Sequence, residues 1–208
     1  MLYSNRTDAA KKLIPFLNKY KDSDGVVVAL PRGGVPVGAI IAKALHLPLE
    51  LLLVKKIGHP ENSELAIGAV SPDEEILDRQ YGIDRSYFIA ECEKIRRNLK
   101  EKYKLYFERQ LMPDFSGRLI ILTDDGIATG FTIRLALQIL RKKNPLKLIL
   151  AVPVAPPDTI RSLRTIADEV ICPQQPSEFM SIGQFYEDFS QVSDEEVTRL
   201  VRSSQSSQ

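Results

Sequence analysis

Residues 119–132 read Leu119-Ile120-Ile121-Leu122-Thr123-Asp124-Asp125-Gly126-Ile127-Ala128-Thr129-Gly130-Phe131-Thr132, and the rest of the chain is best read outward from them. Leu119 to Leu122 are continuously apolar, as in a strand buried on both faces. Two adjacent carboxylates, Asp124 and Asp125, end the run. A loop of mostly small residues, Gly126-Ile127-Ala128-Thr129-Gly130, follows, and helical apolar spacing then begins. A strand, a small-residue loop and a helix N-terminus in that order make an anion site. Free backbone N–H groups point outward there, and the helix dipole favours negative charge. The hydroxyls of Thr129 and Thr132 add donors. Carboxylates beside a phosphate cradle would repel the phosphate unless they hold something else. A sugar diol or a magnesium ion fits that role.

The flanking sequence alternates strand-like and helix-like runs. An amphipathic helix is predicted over 7–20, started by Thr7 or Asp8. Residues 26–30 are a buried-strand run, broken by Pro31-Arg32-Gly33-Gly34-Val35-Pro36-Val37-Gly38 and continued as a helix to His46. Residues 49–54 read as a second strand, 55–64 as a polar loop and 65–70 as a third strand, with 74–77 available to pair as a hairpin. Residues 84–110 form one long helical pattern whose charge run is a solvated face. Beyond 118–123 come a helix over 131–143, a strand at 147–154, a helix over 157–166 and a short strand at 168–172. This order predicts an α/β fold, a mostly parallel sheet with helices on both faces. Ligands bind such sheets at the carboxyl ends of the strands. The loops at 31–38, at 55–64 and at 124–130 all lie there.

Length and composition suit one domain over residues 1–202, with a core at about 24–172, the long helical insertion at 84–110 and a C-terminal appendage at 173–202. Ser193 and Glu196 read as a capping box opening a last helix, and the Ser/Gln tail 203–208 is expected to be disordered. Charge nearly cancels, at +1, which gives no whole-chain reason to expect nucleic acid or an anionic membrane as partner. No apolar run is long enough to span a bilayer, and the N-terminus lacks a signal-peptide core, so a cytoplasmic protein is expected. Cys92 and Cys172 stand singly and are expected to be reduced thiols. A homodimer stays open.

Asp124-Asp125-Gly126-Ile127-Ala128-Thr129-Gly130-Phe131-Thr132 resembles the phosphoribosyl pyrophosphate signature of the type I phosphoribosyltransferases: apolar strand, two acids, a short loop with Thr-Gly, and a further Thr. The resemblance runs along most of residues 24–172, with a second family-like element at 30–38. Neither a P-loop nor a dinucleotide fingerprint is present. The resemblance implies a magnesium-dependent transferase using phosphoribosyl pyrophosphate and a nitrogenous base. A regulator of the same fold that binds phosphoribosyl pyrophosphate or nucleotides without catalysis is the alternative. Asp124 and Asp125 would hold the ribose hydroxyls; they are also the carboxylates implied for magnesium, which would otherwise be held by the substrate. Gly126, Ile127, Ala128, Thr129, Gly130 and Thr132 would form the 5′-phosphate cradle. Arg32, Gly33 and Gly34, with Lys55 or Lys56, would hold the pyrophosphate. His59 is a candidate proton donor in a loop expected to close over the substrate.

Two further expectations concern the acceptor. Ala128 stands where hypoxanthine–guanine members usually carry an acid for the purine N7, which argues against a 6-oxopurine unless Glu187 or Asp188 substitutes. The aromatic segment 179–189 matches the family's variable, base-selecting hood in position, although Phe179, Phe185, Tyr186 and Phe189 can equally be packing residues. His46, near a helix end, reads as a favourable cation at the dipole terminus.

Overall fold

The computed structural model describes residues 2–77, 82–108 and 113–205, without the side chains of residues 63 and 64. In chain order the elements are α1 (Arg6–Leu17), β1 (Gly25–Ala29), α2 (Gly34–Leu45), β2 (Leu49–Leu51), β3 (Lys55–His59), β4 (Asn62–Val70), β5 (Glu75–Leu77) and α3 (Arg85–Phe107). Then follow β6 (Leu119–Thr123), α4 (Phe131–Arg141), β7 (Lys147–Ala151), α5 (Pro157–Leu163), β8 (Glu169–Ile171) and α6 (Asp194–Gln205).

Five strands form the central sheet in the order β2-β1-β6-β7-β8, and every neighbouring pair is parallel. Strand residues alternate between two cores, as the pleat requires. Val27, Ala29, Ile121 and Ile149 pack with Leu13 and Leu17 of α1 and Ile41 and Leu45 of α2. Val26, Val28, Ile120, Leu122, Leu148 and Leu150 pack with Ile133 and Leu137 of α4 and Ile160 and Leu163 of α5. Both faces are therefore covered, and the unbroken apolar strands are explained. The strand order also sets β1 beside β6, so the loops that leave their carboxyl ends are neighbours.

Residues 55–64 depart from the expected polar loop. All but the turn at Pro60-Glu61 belong to β3 and β4, the first two strands of an antiparallel sheet completed by β5. The loop reading missed Ile57, an apolar residue that is buried with Ile67 in the same core as Phe88 and Cys92 of α3. The Tyr87 hydroxyl donates to the Gly58 carbonyl at 3.1 Å, and Arg96 pairs with Glu75 at 2.6 Å. Lys143, just past α4, pairs with Asp73. The small sheet is thus fastened to α3 and to the end of α4.

Several boundaries move. The first helix starts at Arg6 behind an Asn5 cap, whose side chain accepts from the Asp8 N–H, and turns to 3-10 geometry over Asn18–Tyr20. Only Leu49–Leu51 of 49–54 pairs as strand, and the 147–154 run ends as strand at Ala151. The long helix stops at Phe107 on a left-handed Glu108; residues 109 and 110 lie outside the described residues. The tail expected to be disordered continues α6 through Gln205, and 206–208 lie outside the described residues. His46 takes a left-handed C-cap conformation, and its Nδ1 meets Asp22 at 2.7 Å. Both cysteines are free and buried, and burial pushes the Cys172 thiol up to about 12. No helix among the described residues is long and apolar enough to cross a membrane.

The appendage is built from both ends of the chain. The Tyr3 N–H donates to the Phe185 carbonyl at 2.8 Å, and the Glu187 N–H donates to the Tyr3 carbonyl at 2.9 Å. Phe179, Ile182, Phe185 and Phe189 pack around Tyr3 and Tyr186, so the aromatic density is largely a small core.

Candidate active site

Asp124 and Asp125 follow β6 immediately, at the carboxyl edge of the sheet. The strand register fixes their place: Thr123 pairs with Ala29 on one side and Ala151 on the other, and the chain leaves the sheet there. The Asp125 N–H donates to Asp124 Oδ1 at 2.8 Å. The side chain of Asp125 is 8% exposed, and its Oδ2 accepts from Arg6 Nε at 2.8 Å. Burial pushes both carboxyls above the ordinary carboxylate range. For Asp124 the neighbouring Asp125 charge adds to that push. For Asp125 the Arg6 guanidinium opposes it. The pair is therefore asymmetric: Asp125 carries the compensating cation, and Asp124 holds a proton more readily.

The loop after β1 presses against these acids. A Cβ on Gly33 would lie 2.1 Å from Asp125 Oδ2, so only glycine fits without movement. One on Gly34 would lie 2.9 Å from the Asp124 Cα. The peptide between Pro31 and Arg32 is cis. Arg32 lines the same cleft, and its charge is felt at Asp194 and Glu195 at the start of α6.

The loop after the acids is open to solvent in its second half. Ala128, Thr129 and Thr132 are exposed. Gly130, the N-cap of α4, has φ +75°, and no side chain caps the helix. Among the described residues, no acceptor takes the N–H groups of Phe131, Thr132 or Ile133. These are the orphan donors of a helix first turn, the place where an anion is held. Gly126 and Ile127 serve differently. Ile127 is buried and its N–H donates to the Val154 carbonyl at 2.9 Å, while a Cβ on Gly126 would strike Ile182 at 2.6 Å. They anchor the loop, and the free donors lie beyond them.

The remaining candidates stand apart from this cluster. Lys55 and Lys56 open β3 and are exposed. Neither lines the cleft that contains the acids. His59 closes β3 beside the turn to β4, and its Nδ1 accepts from the Glu61 N–H at 3.1 Å. Asp188 spends its carboxylate on the Ser190 N–H at 2.9 Å.

The structure adds Arg6, Gln191 and Val192, which the sequence did not mark, and ties Tyr186 and Phe189 of the aromatic segment to the site. A cleft of about 420 Å³ is lined by Arg6, Pro31, Arg32, Gly33, Asp124, Asp125, Phe189, Gln191 and Val192. Arg6 arrives from the first turn of α1, stacks 4.0 Å from the Phe189 ring centroid and donates to the Ser190 carbonyl at 2.8 Å. Tyr186 donates its hydroxyl to the Asp125 carbonyl at 2.5 Å. A lone arginine before an ordinary helix carries no local signal; only the pairing of Tyr3 with Tyr186 brings it to the acids. A larger hollow of about 650 Å³ lies where β5 meets α3 and contains none of these groups. No group of three or more metal-ligating side chains is present among the described residues.

Comparison with known proteins agrees with this geometry. The phosphoribosyl transferase domain family matches residues 2–190. Two Mycobacterium tuberculosis proteins that carry phosphoribosyl transferase in their names are 36% identical over 205 residues, covering 96% of this chain. The chain spans 46% of their length. The crystal structure of TT1426 from Thermus thermophilus superposes with a TM-score of 0.86 at 34% identity, covering 97% of this chain and 98% of that one. A purine phosphoribosyltransferase from Pyrococcus horikoshii shares the fold, with a TM-score of 0.52 at 15% identity over 90% of this chain and 93% of that one. The chain belongs to the type I phosphoribosyltransferase family.

Proposed function

We propose that this chain transfers the 5-phosphoribosyl group from phosphoribosyl pyrophosphate to a nitrogenous base, releasing pyrophosphate. The observation that carries this reading is the carboxylate pair at the end of β6, set between two neighbouring loops suited to anions. In this reading Asp124 and Asp125 accept hydrogen bonds from the ribose hydroxyls. The N–H groups of residues 131–133, with the hydroxyls of Thr129 and Thr132, hold the 5′-phosphate. Arg32 and the Gly33-Gly34 turn hold the pyrophosphate. Breaking the bond between C1 and the leaving oxygen builds positive charge on the ribose and negative charge on the pyrophosphate. The acids stabilise the first, Arg32 and the loop amides the second, and most of the catalysis is positioning and preorganised electrostatics.

Magnesium fits this site as a substrate-borne ion. It favours several oxygen ligands in octahedral array and is commonly held by phosphates with one or two carboxylates. Of the two carboxylates here, Asp125 is already paired with Arg6, so the diphosphate and ribose oxygens would supply most ligands. When bound, the ion would neutralise the departing pyrophosphate.

In this reading the acceptor enters against Phe189, Gln191 and Val192, which wall one side of the cleft. Ala128 gives no acid to a purine N7; its carbonyl accepts instead from the Thr159 hydroxyl at 3.0 Å. Hypoxanthine and guanine are expected to be poor acceptors. The test is pyrophosphate release from phosphoribosyl pyrophosphate and magnesium with adenine, hypoxanthine, guanine, uracil and orotate. Base-dependent release that Asp124→Asn abolishes supports the reading. Absence of release with every base counts against transferase activity, and preference for hypoxanthine or guanine against the reading of Ala128.

A further inference from the structure

Lys102 lies in the charged run of α3, with the buried Leu99 one turn before it and the buried Tyr106 one turn after. Its place in the fold is the carboxyl edge of the central sheet. A crevice of about 150 Å³ opens there, lined by Leu30, Pro31, Leu52 and Val54, and its polar side chains are those of Lys102 and Thr132. Pro31 also lines the cleft of the acids, so the loop after β1 is a wall shared by the two hollows. Lys102 Nζ pairs with Asp194 Oδ1 at 3.3 Å, the same oxygen that accepts from the Tyr106 hydroxyl at 2.6 Å. Asp194 and Tyr106 both feel the charge of Arg32 as well. We propose that Lys102 is a further substrate-binding residue, a second cation beside Arg32 for the diphosphate, and that Asp194 competes with the diphosphate for it. This rests on the phosphoribosyl reading given above.

A departing diphosphate carries several negative charges, and one guanidinium leaves most of them unmatched. Lys55 and Lys56 line neither hollow. Lys102 lines the crevice, with a side chain 39% exposed, and a lysine stem is flexible enough to carry its ammonium between neighbouring anions. Its pair with Asp194 is half-solvated, and such pairs contribute little to stability, so the exchange of one anion for another is not opposed by the fold. The Tyr106 hydroxyl first, and then Lys102 and Arg32, hold the Asp194 carboxyl below its ordinary range, so it competes as a full negative charge. Glu195 beside it also feels Arg32, and the two acids at the start of α6 together balance the two cations. Taking the charge from Asp194 therefore leaves a surplus cation for an anionic ligand. A pair that merely fastened α3 to α6 would alter stability when cut, without telling a diphosphate from a sugar phosphate.

Calorimetric titration of the full chain with three probes, each with magnesium, separates these roles: phosphoribosyl pyrophosphate, inorganic pyrophosphate and ribose 5-phosphate. Lys102→Met keeps the carbon stem against the crevice and removes the charge. It is expected to weaken phosphoribosyl pyrophosphate and pyrophosphate about tenfold or more, the worth of a charge-assisted hydrogen bond. Ribose 5-phosphate should bind as it does to wild type. Lys102→Arg should recover most of the loss. Asp194→Asn keeps an oxygen for the Tyr106 hydroxyl and is expected to tighten pyrophosphate by about two- to fivefold at low salt, the scale of one charge a few ångströms away in a solvated site. Thermal melts of each variant accompany the titrations.

Wild-type affinity for pyrophosphate in folded Lys102→Met would overturn the proposal. So would an equal loss for pyrophosphate and ribose 5-phosphate, which is what general damage to the site produces. Weaker pyrophosphate binding in Asp194→Asn would show that the pair only braces α3 against α6, and would overturn it too. If Lys102→Met does not fold, Asp194→Asn carries the test by the sign of its effect. Phosphoribosyl pyrophosphate bound equally by wild type and folded Lys102→Met sinks the role of Lys102 and leaves the phosphoribosyl reading standing. Failure of wild type to bind that substrate at all removes both.

Discussion

Replacing Gly33 with alanine sets two effects of known sign against each other. The backbone at Gly33 has φ −60° and ψ −34°, a conformation any residue adopts. Judged on the backbone alone, alanine should stabilise the fold by about 0.4–1 kcal/mol, by narrowing the unfolded ensemble. The added Cβ, however, would lie 2.1 Å from Asp125 Oδ2, 2.7 Å from its Cγ and 3.1 Å from Oδ1. Relief requires the carboxylate to move, and that carboxylate is bound to Arg6 at 2.8 Å while its main chain is held by Tyr186. Overpacking of this kind costs about 1–3 kcal/mol if the pair adjusts, and about 3–5 kcal/mol if a buried pair is broken. The clash wins, leaving a net loss of about 1–3 kcal/mol, which lowers Tm by roughly 2–10 °C for a chain of this size. Thermal and denaturant unfolding measure it. The same substitution in an Asp125→Ala background should be neutral or stabilising, because the colliding atoms are gone. A Gly33→Ala variant more stable than wild type would refute the claim that Asp125 is pinned against this loop.

Asp124→Asn should melt at or above the wild-type temperature at about pH 8 while losing about tenfold or more in phosphoribosyl pyrophosphate affinity. The native carboxyl, raised above its ordinary 3.8, keeps a proton that the unfolded chain has released. Stability therefore falls as pH climbs from that ordinary value through the raised one, and asparagine escapes the loss; lower stability than wild type at alkaline pH would contradict this. Tyr186→Phe leaves the Asp125 carbonyl without its 2.5 Å donor and should cost about 1–3 kcal/mol in urea unfolding, where an unchanged midpoint would show that the hood is not coupled to the acids. Gly130→Val combines a φ of +75° with a Cβ 2.6 Å from Thr159 Cγ2. It should weaken phosphate-dependent binding while circular dichroism still reports the sheet, and undiminished affinity in a folded variant would remove this loop from the site.

The central sheet was legible because its strands are buried on both faces. Val26–Leu30 and Leu119–Leu122 have no alternation to confuse with an exposed strand, and the acids and glycines mark where each run ends. The small sheet at 55–77 was only half legible. β4 and β5 announced themselves, but β3 has one buried apolar residue, Ile57, among lysines, glycine and histidine, and its partner surface on α3 lies some thirty residues further on. The acids and the two loops could be read from local order, since strand, carboxylate, glycine and helix are consecutive. Arg6 could not, and Tyr186 and Phe189 could be read only as hood or packing residues, because their contacts with the acids and with Arg6 form once Tyr3 pairs with Tyr186. Ile127 shows the converse error: a residue inside the signature whose amide is committed to Val154 and whose side chain belongs to the core.

The most direct measurement is a crystal structure of the chain soaked with phosphoribosyl pyrophosphate and magnesium. The expected result is the ribose 2′ and 3′ hydroxyls on the Asp124 and Asp125 carboxylates, the 5′-phosphate on the N–H groups of residues 131–133 with Thr129 and Thr132, and the pyrophosphate beside Arg32 and Gly33. The substrate bound elsewhere, or its phosphate at the loop with the carboxylates turned away from the sugar, would contradict the assignment of this site.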